Sequence, residues 1–190
     1  MTEKSAGGSS PARRQAILTA ARFLFVRQGV RGTTMEAIAS EAGIAKPTLY
    51  GYFRDKDAVA SAVLEALVAE LEQVFTAALT GRGDVVERVA AALSAKYKAV
   101  LRLLAGSPHA GELYGEQSRL AGPAFAALEA RIEAAIIAEL ESAGVDRPRP
   151  LAQILTASAA GICHKAQSVA EVGPAIRLVT ERVLGPSLPK

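Results

Sequence analysis

Lys46, Thr48, Tyr50 and Tyr52 fall within one run of seven residues, KPTLYGY, with Lys56 four residues further on. An ammonium group and three hydroxyls this close together suit one kind of chemistry. They can pair with phosphate oxygens and hydrogen-bond to base edges, provided that a single surface presents them. The elements around them must therefore supply such a surface.

A pair of helices would do so. Thr33 and Glu36 have the S/T-x-x-E spacing of a capping box, which predicts a helix start at that point. Ile38, Ala39 and Ala42 share a face at helical spacing, and Gly43 follows where a left-handed residue would end the helix. Pro47 suits the first turn of a second helix, in which Leu49 and Phe53 are four apart and point inward together. Lys46, Thr48, Tyr50, Gly51 and Tyr52 are then left facing outward or obliquely. Residues 33–56 thus read as helix, glycine turn and short helix, the architecture of a DNA-reading helix-turn-helix. Alanine-rich helices joined by a glycine also occur in ordinary helical cores, but a solvated face would carry more acids than this one does.

The charge is distributed in keeping with that reading. The 190 residues carry a formal net charge of +3, yet residues 1–57 hold 9 Lys and Arg against 5 Asp and Glu, leaving 13 against 14 in the remainder. The basic excess sits where phosphate would be met, and the neutral to acidic remainder is compatible with dimerisation or small-molecule binding. With 50% hydrophobic residues the chain can bury a substantial core. Cys163 is the only cysteine, so no intrachain disulfide is possible and a cytoplasmic location is expected. It lies in an apolar run, where a lone cysteine is usually a small hydrophobe. Arg22 and Arg27 interrupt the apolar stretch that a twin-arginine signal at Arg13-Arg14 would need, and the longest uncharged run, 151–163, is too short to span a bilayer. No membrane association is expected.

The periodicity predicts an all-α chain. Residues 1–10 are small and polar and read as a disordered tail. Pro11 opens a helix with Ile17, Leu18, Ala21, Leu24 and Phe25 on one stripe, Arg13, Arg14, Arg22 and Arg27 outside it, and Gly29 as its stop. Asp55 can cap a long helix over 56–79, about 35 Å at 1.5 Å per residue, which would link the DNA-reading pair to the distal domain. Gly81 and Gly83 break it, and Asp84 with Glu87 repeats the capping-box spacing ahead of a helix reaching 104. Further helices are expected over 109–118, from 124 to 142, over 151–171 and over 174–184, separated by Gly-Pro and glycine-rich breaks. The total is about nine, three in a DNA-binding domain over 11–55 and six in a regulatory and dimerisation domain over 56–190.

Residues 14–56 resemble the amino-terminal domain of the TetR family of bacterial transcriptional regulators. The resemblance is carried by the apolar first helix ending in Gly29, Thr33-Thr34, Ile38-Ala39, Ala42-Gly43, Thr48-Leu49-Tyr50, Tyr52-Phe53 and Lys56. It implies that Thr34, Tyr50 and Lys56 bind phosphates, and that Lys46, Pro47, Thr48 and Tyr52 lie at or near base edges or the adjoining backbone. Gly51 departs from the commoner polar or bulky choice and supplies no contact. It further implies a homodimer on a palindromic double-stranded DNA operator, acting as a repressor and released by a small-molecule effector.

Two surfaces in the distal domain follow as expectations. Tyr97, His109, Tyr114, Phe125, His164 and Gln167 are polar or aromatic handles among aliphatic and small residues, the make-up of a pocket for an apolar or aromatic effector. Ala157 and Gly161 on one helix, with Ile176, Val179 and Val183 on the next, make a small-residue and aliphatic face for a dimer interface. Catalysis has little support. His109 and His164 lack the i, i+4 partner of a helical metal site, adjacent Cys163 and His164 point about 100° apart on a helix, and no nucleophile elbow or phosphate-binding glycine loop is present. No metal or cofactor is expected. The competing class is an all-helical enzyme or small-molecule carrier whose helix-turn-helix pattern is accidental.

Overall fold

The computed structural model describes residues 10–104 and 109–187, giving the backbone alone for 104 and 110–121. The expected tail at 1–9 lies outside the described residues. Eight α-helices follow in order: α1 Pro11–Gly32, α2 Met35–Glu41, α3 Lys46–Tyr52, α4 Lys56–Leu79, α5 Val85–Leu104, α6 Ala110–Ser142, α7 Pro148–Lys165 and α8 Val169–Leu184, with a 3₁₀ turn at Gly185–Ser187. No strand occurs among the described residues.

The difference from nine lies in α6, which runs unbroken through Gly122 and Pro123. Proline has a helical φ and removes only one intrahelical hydrogen bond, so a long helix can absorb it as a kink. The last connection also falls earlier than Gly173 predicts. Glu171 accepts from the Gln167 amide at 3.2 Å and from the Ser168 hydroxyl at 2.9 Å, so α8 starts at Val169 and carries Pro174 inside it. Ser168 and Glu171 have the same three-residue spacing that was read correctly at Asp84 and Glu87. There the box closes fully, with the Glu87 amide donating to Asp84 at 2.9 Å and the Asp84 amide to Glu87 at 3.1 Å. Asp55 caps α4 as expected, accepting from the Ala58 amide at 2.8 Å.

Packing divides the chain into two units, Met1–Ala66 with Gly106–Gly122 and Leu67–Ala105 with Pro123–Lys190. The division expected at 55/56 follows a helix boundary, whereas the packing division runs through α4. The first unit is built on Ile17, Leu18, Ala21 and Phe25 of α1, Ile38 and Ala39 of α2, Leu49 of α3, and Phe53, Val59 and Ala60 beyond it. Gly29 adopts φ 75°, ψ 163°, which breaks α1 into two helical stretches at the residue expected to stop it. The second unit has its own core, drawn from Leu71 and Phe75 of α4, Val89 and Leu93 of α5, Leu128, Ile132 and Ile136 of α6, Leu155 and Ala159 of α7, and Val172, Ile176 and Leu184 of α8. No helix among the described residues is long and apolar enough to cross a membrane.

Candidate nucleic-acid interface

The helix pair forms as the spacing predicts, with one shift at its start. Thr34 is the N-cap of α2, its hydroxyl accepting from the Ala37 amide at 3.1 Å. Thr33, the expected cap, is 1% exposed and donates to the Gly29 carbonyl at 2.7 Å. The T-x-x-E pattern therefore misplaced the cap by one residue, because the second of two threonines faces the helix end. Gly43 takes φ 65° and turns the chain between the helices. Pro47 sits in the first turn of α3, and Leu49 is fully buried beneath it.

α3 presents Lys46, Pro47, Tyr50 and Gly51 as exposed residues, with Thr48 half-buried beside them. The Lys46 ammonium lies 6.0 Å from the centroid of the Tyr50 ring, and its charge is paired with Glu36 of α2. The hydrogen bond from Lys46 holds the Glu36 carboxyl below its ordinary pKa, and Glu36 raises that of Lys46 in return. The pair orients Lys46 across the two helices before any partner arrives. Glu36 was missed as part of this surface because its spacing from Thr33 assigned it to a cap.

Two further residues are placed differently from the expectation. Tyr52 is half-buried against the first core and its hydroxyl accepts from the Ser10 amide at 3.0 Å, so it fastens the chain entering α1 instead of facing outward. Lys56 donates to the Arg31 carbonyl at 3.2 Å and to that of Thr33 at 2.8 Å, which uses two of its three N–H groups to hold the α1–α2 connection. Lys56→Met is expected to cost about 1–3 kcal/mol in urea unfolding while leaving the salt dependence of DNA affinity nearly unchanged. A log-log salt slope flattened by about 0.9 would instead return Lys56 to the phosphate-binding set. Arg14, exposed on α1, lies 5.4 Å from the Phe53 ring centroid.

Gly51 is open on the outward face, where an added Cβ would meet nothing within 4 Å. Gly51→Ala should therefore stabilise α3 by up to about 1 kcal/mol, measured as a raised urea midpoint. No rise would mean that the free space around this position is misjudged.

The expected pocket residues do not share one setting, since Tyr97, Phe125, His164 and Gln167 belong to the second unit and His109 and Tyr114 to the segment grouped with the first. Tyr97 is 7% exposed in the second core and Phe125 is half-buried against it. His164 is exposed in the last turn of α7, where Cys163 takes the inward position, and Gln167 is exposed in the connection to α8. His109 is half-buried, and the Tyr114 side chain lies outside the described residues. Lys96 was missed altogether, although it is 2% exposed and pairs with Glu129 at 2.5 Å. Its position on the Val89-Leu93-Tyr97 stripe of α5 was a readable signal. Of the dimer-face residues, Ala157 and Gly161 are exposed and Val179 and Val183 half-buried. Ile176 is 1% exposed, part of its own core, and has no surface to offer a partner. No group of three or more potential metal ligands occurs among the described residues.

The helix-turn-helix of the first unit is similar in sequence to one found in bacterial regulatory proteins. Residues 17–63 match the family described as bacterial regulatory proteins, tetR family. The regulator BetI of Rhizobium meliloti is 30% identical over 92 residues, 48% of this chain and 45% of BetI. The chain thus matches less than half the length of such curated relatives. The fold extends further. SmeT, the repressor of the Stenotrophomonas maltophilia multidrug efflux pump SmeDEF, aligns over 93% of this chain and 91% of its own with TM-score 0.66 at 21% identity. A TetR/AcrR-family regulator from Thermobifida fusca aligns over 89% and 96% with TM-score 0.60 at 26% identity.

Proposed function

We infer that the chain is a cytoplasmic, homodimeric transcriptional regulator that binds a palindromic operator through α3. In this reading it acts as a repressor and is released when a small molecule occupies its distal unit. The observation that carries the reading is the exposed face of α3, where Lys46, Pro47, Tyr50 and Gly51 stand on a helix pinned from behind by buried Leu49. Lys46 and the hydroxyls of Thr48 and Tyr50 supply the donors for phosphate and base edges, and the basic excess of residues 1–57 supplies the field. Repression in place of activation follows the analogy with SmeT, a repressor. A helix in the major groove reads one half-site, so a two-fold operator calls for a two-fold protein. Ala157 and Gly161 of α7 and Leu178 of α8 are exposed and supply apolar surface that a partner copy would cover. A gel-shift titration on the DNA flanking the chain's own gene tests the reading. A discrete complex that competes with specific but not scrambled DNA supports it, and the absence of any such complex overturns it.

A further inference from the structure

Lys96 is a lysine in an apolar core. It occupies the inward stripe of α5 with Val89, Leu93 and Tyr97, and its side chain is 2% exposed. Its ammonium donates to the Tyr97 hydroxyl at 3.3 Å, lies 4.4 Å from the centroid of that ring, and donates to Glu129 Oε1 of α6 at 2.5 Å. Cys163 of α7 flanks the same place, its Sγ 3.9 Å from the Tyr97 carbonyl oxygen. Burial raises the pKa of this thiol, and the Lys96 charge partly offsets the rise.

The members of the ion pair are not alike. Lys96 is almost wholly enclosed, whereas the Glu129 side chain is 49% exposed and can turn to solvent at little cost. The cation is fixed and the anion is exchangeable. A buried ammonium deprived of its counter-charge is strongly unfavourable, so whatever displaces Glu129 must itself be an anion. Phe125 sits one helical turn before Glu129 and packs half-buried against the core that includes Tyr97. An apolar body attached to that anion would find apolar neighbours.

We propose that Lys96, Tyr97 and Phe125 form a subsite for a small carboxylate with an apolar or aromatic body, whose carboxylate takes the place of Glu129 on Lys96. The exchange makes and breaks only ionic hydrogen bonds, and the Tyr97 hydroxyl can donate to the incoming oxygen. Glu129 acts as an internal stand-in that keeps Lys96 neutralised while the subsite is empty. The inference rests on reading the chain as ligand-responsive, but its test needs no DNA.

Isothermal titration of the full chain with benzoate, phenylacetate and hexanoate, and with their neutral primary amides, decides it. The carboxylates should bind the wild-type chain and the amides should bind at least about tenfold more weakly, since an amide leaves the ammonium uncompensated. Lys96→Met should abolish carboxylate binding. Glu129→Gln should strengthen it, by about tenfold if the internal carboxylate occupies Lys96 about nine-tenths of the time. An ion pair that serves only the fold would give Glu129→Gln a lower melting temperature and no gain in affinity, which overturns the proposal. If Lys96→Met fails to fold by circular dichroism, the gain or lack of gain in Glu129→Gln decides alone. Equal binding of acids and amides, or no carboxylate binding to wild type and Glu129→Gln, also overturns it. Ligand-free operator binding by gel shift is read separately. Its loss would sink the regulator reading, whereas release of the operator by a neutral molecule only would sink the subsite and leave the regulator reading standing.

Discussion

Leu49→Ala should lower the stability of the helix-turn-helix unit by about 2–5 kcal/mol and take DNA binding down with it. α3 has seven residues, too few to hold a helix in water by themselves, so its helicity depends on docking. Leu49 is the one buried residue within α3, fully enclosed beside Ile17, Phe25 and Ile38 in the first core. Removing its side chain leaves a cavity directly behind Lys46, Thr48 and Tyr50. Those residues lose the fixed geometry that lets several weak contacts act together, so the affinity loss should exceed that of any single outward substitution. Urea unfolding followed by circular dichroism, paired with fluorescence anisotropy on the operator, measures both quantities. An unchanged midpoint with unchanged affinity would mean that α3 is held by something other than this contact.

Leu178→Asp should convert the protein to monomers and weaken operator binding by about 10²–10⁴, the gain that linking two half-site contacts ordinarily supplies. Leu178 is 55% exposed on α8, and on α7 Ile154, 49% exposed, stands at helical spacing from exposed Ala157 and Gly161. Val179 is a poorer probe. It packs against its own core, so an acidic residue there would damage the protomer before testing the interface. Sedimentation velocity should show one species at half the wild-type mass, with circular dichroism unchanged because no core contact is removed. A dimer that survives Leu178→Asp would place the interface off this surface.

The fold was legible where a local rule had one solution. Gly43 with φ 65°, the Asp84–Glu87 box and the Asp55 cap all sit where their residue types require, and so does the buried pair Leu49 and Phe53. Rules with two solutions misled. Thr33-Thr34 offered two caps one residue apart, and only the packing of Thr33 onto the Gly29 carbonyl decides which one faces the helix end. Pro123 and Pro174 read as boundaries, yet each lies inside a helix whose remaining hydrogen bonds and packing hold it together. The outward face of α3 followed from periodicity. The tertiary engagements of its neighbours did not, since nothing in the spacing shows that Tyr52 meets Ser10 or that Lys56 meets the carbonyls of Arg31 and Thr33. Lys96 is hidden for the opposite reason, because its residue type points to solvent while its register on α5 is that of the core.

The central claim is that α3 reads DNA sequence, and one titration addresses it most directly. Labelled duplex carrying the sequence flanking the chain's own gene is titrated at physiological salt, alongside a scrambled duplex of the same composition, with wild type and Thr48→Ala. Wild type should prefer the native sequence by at least about 10³, and Thr48→Ala should shrink that ratio with scrambled binding left unchanged. Equal affinity for both duplexes, or no binding to either, would contradict the account.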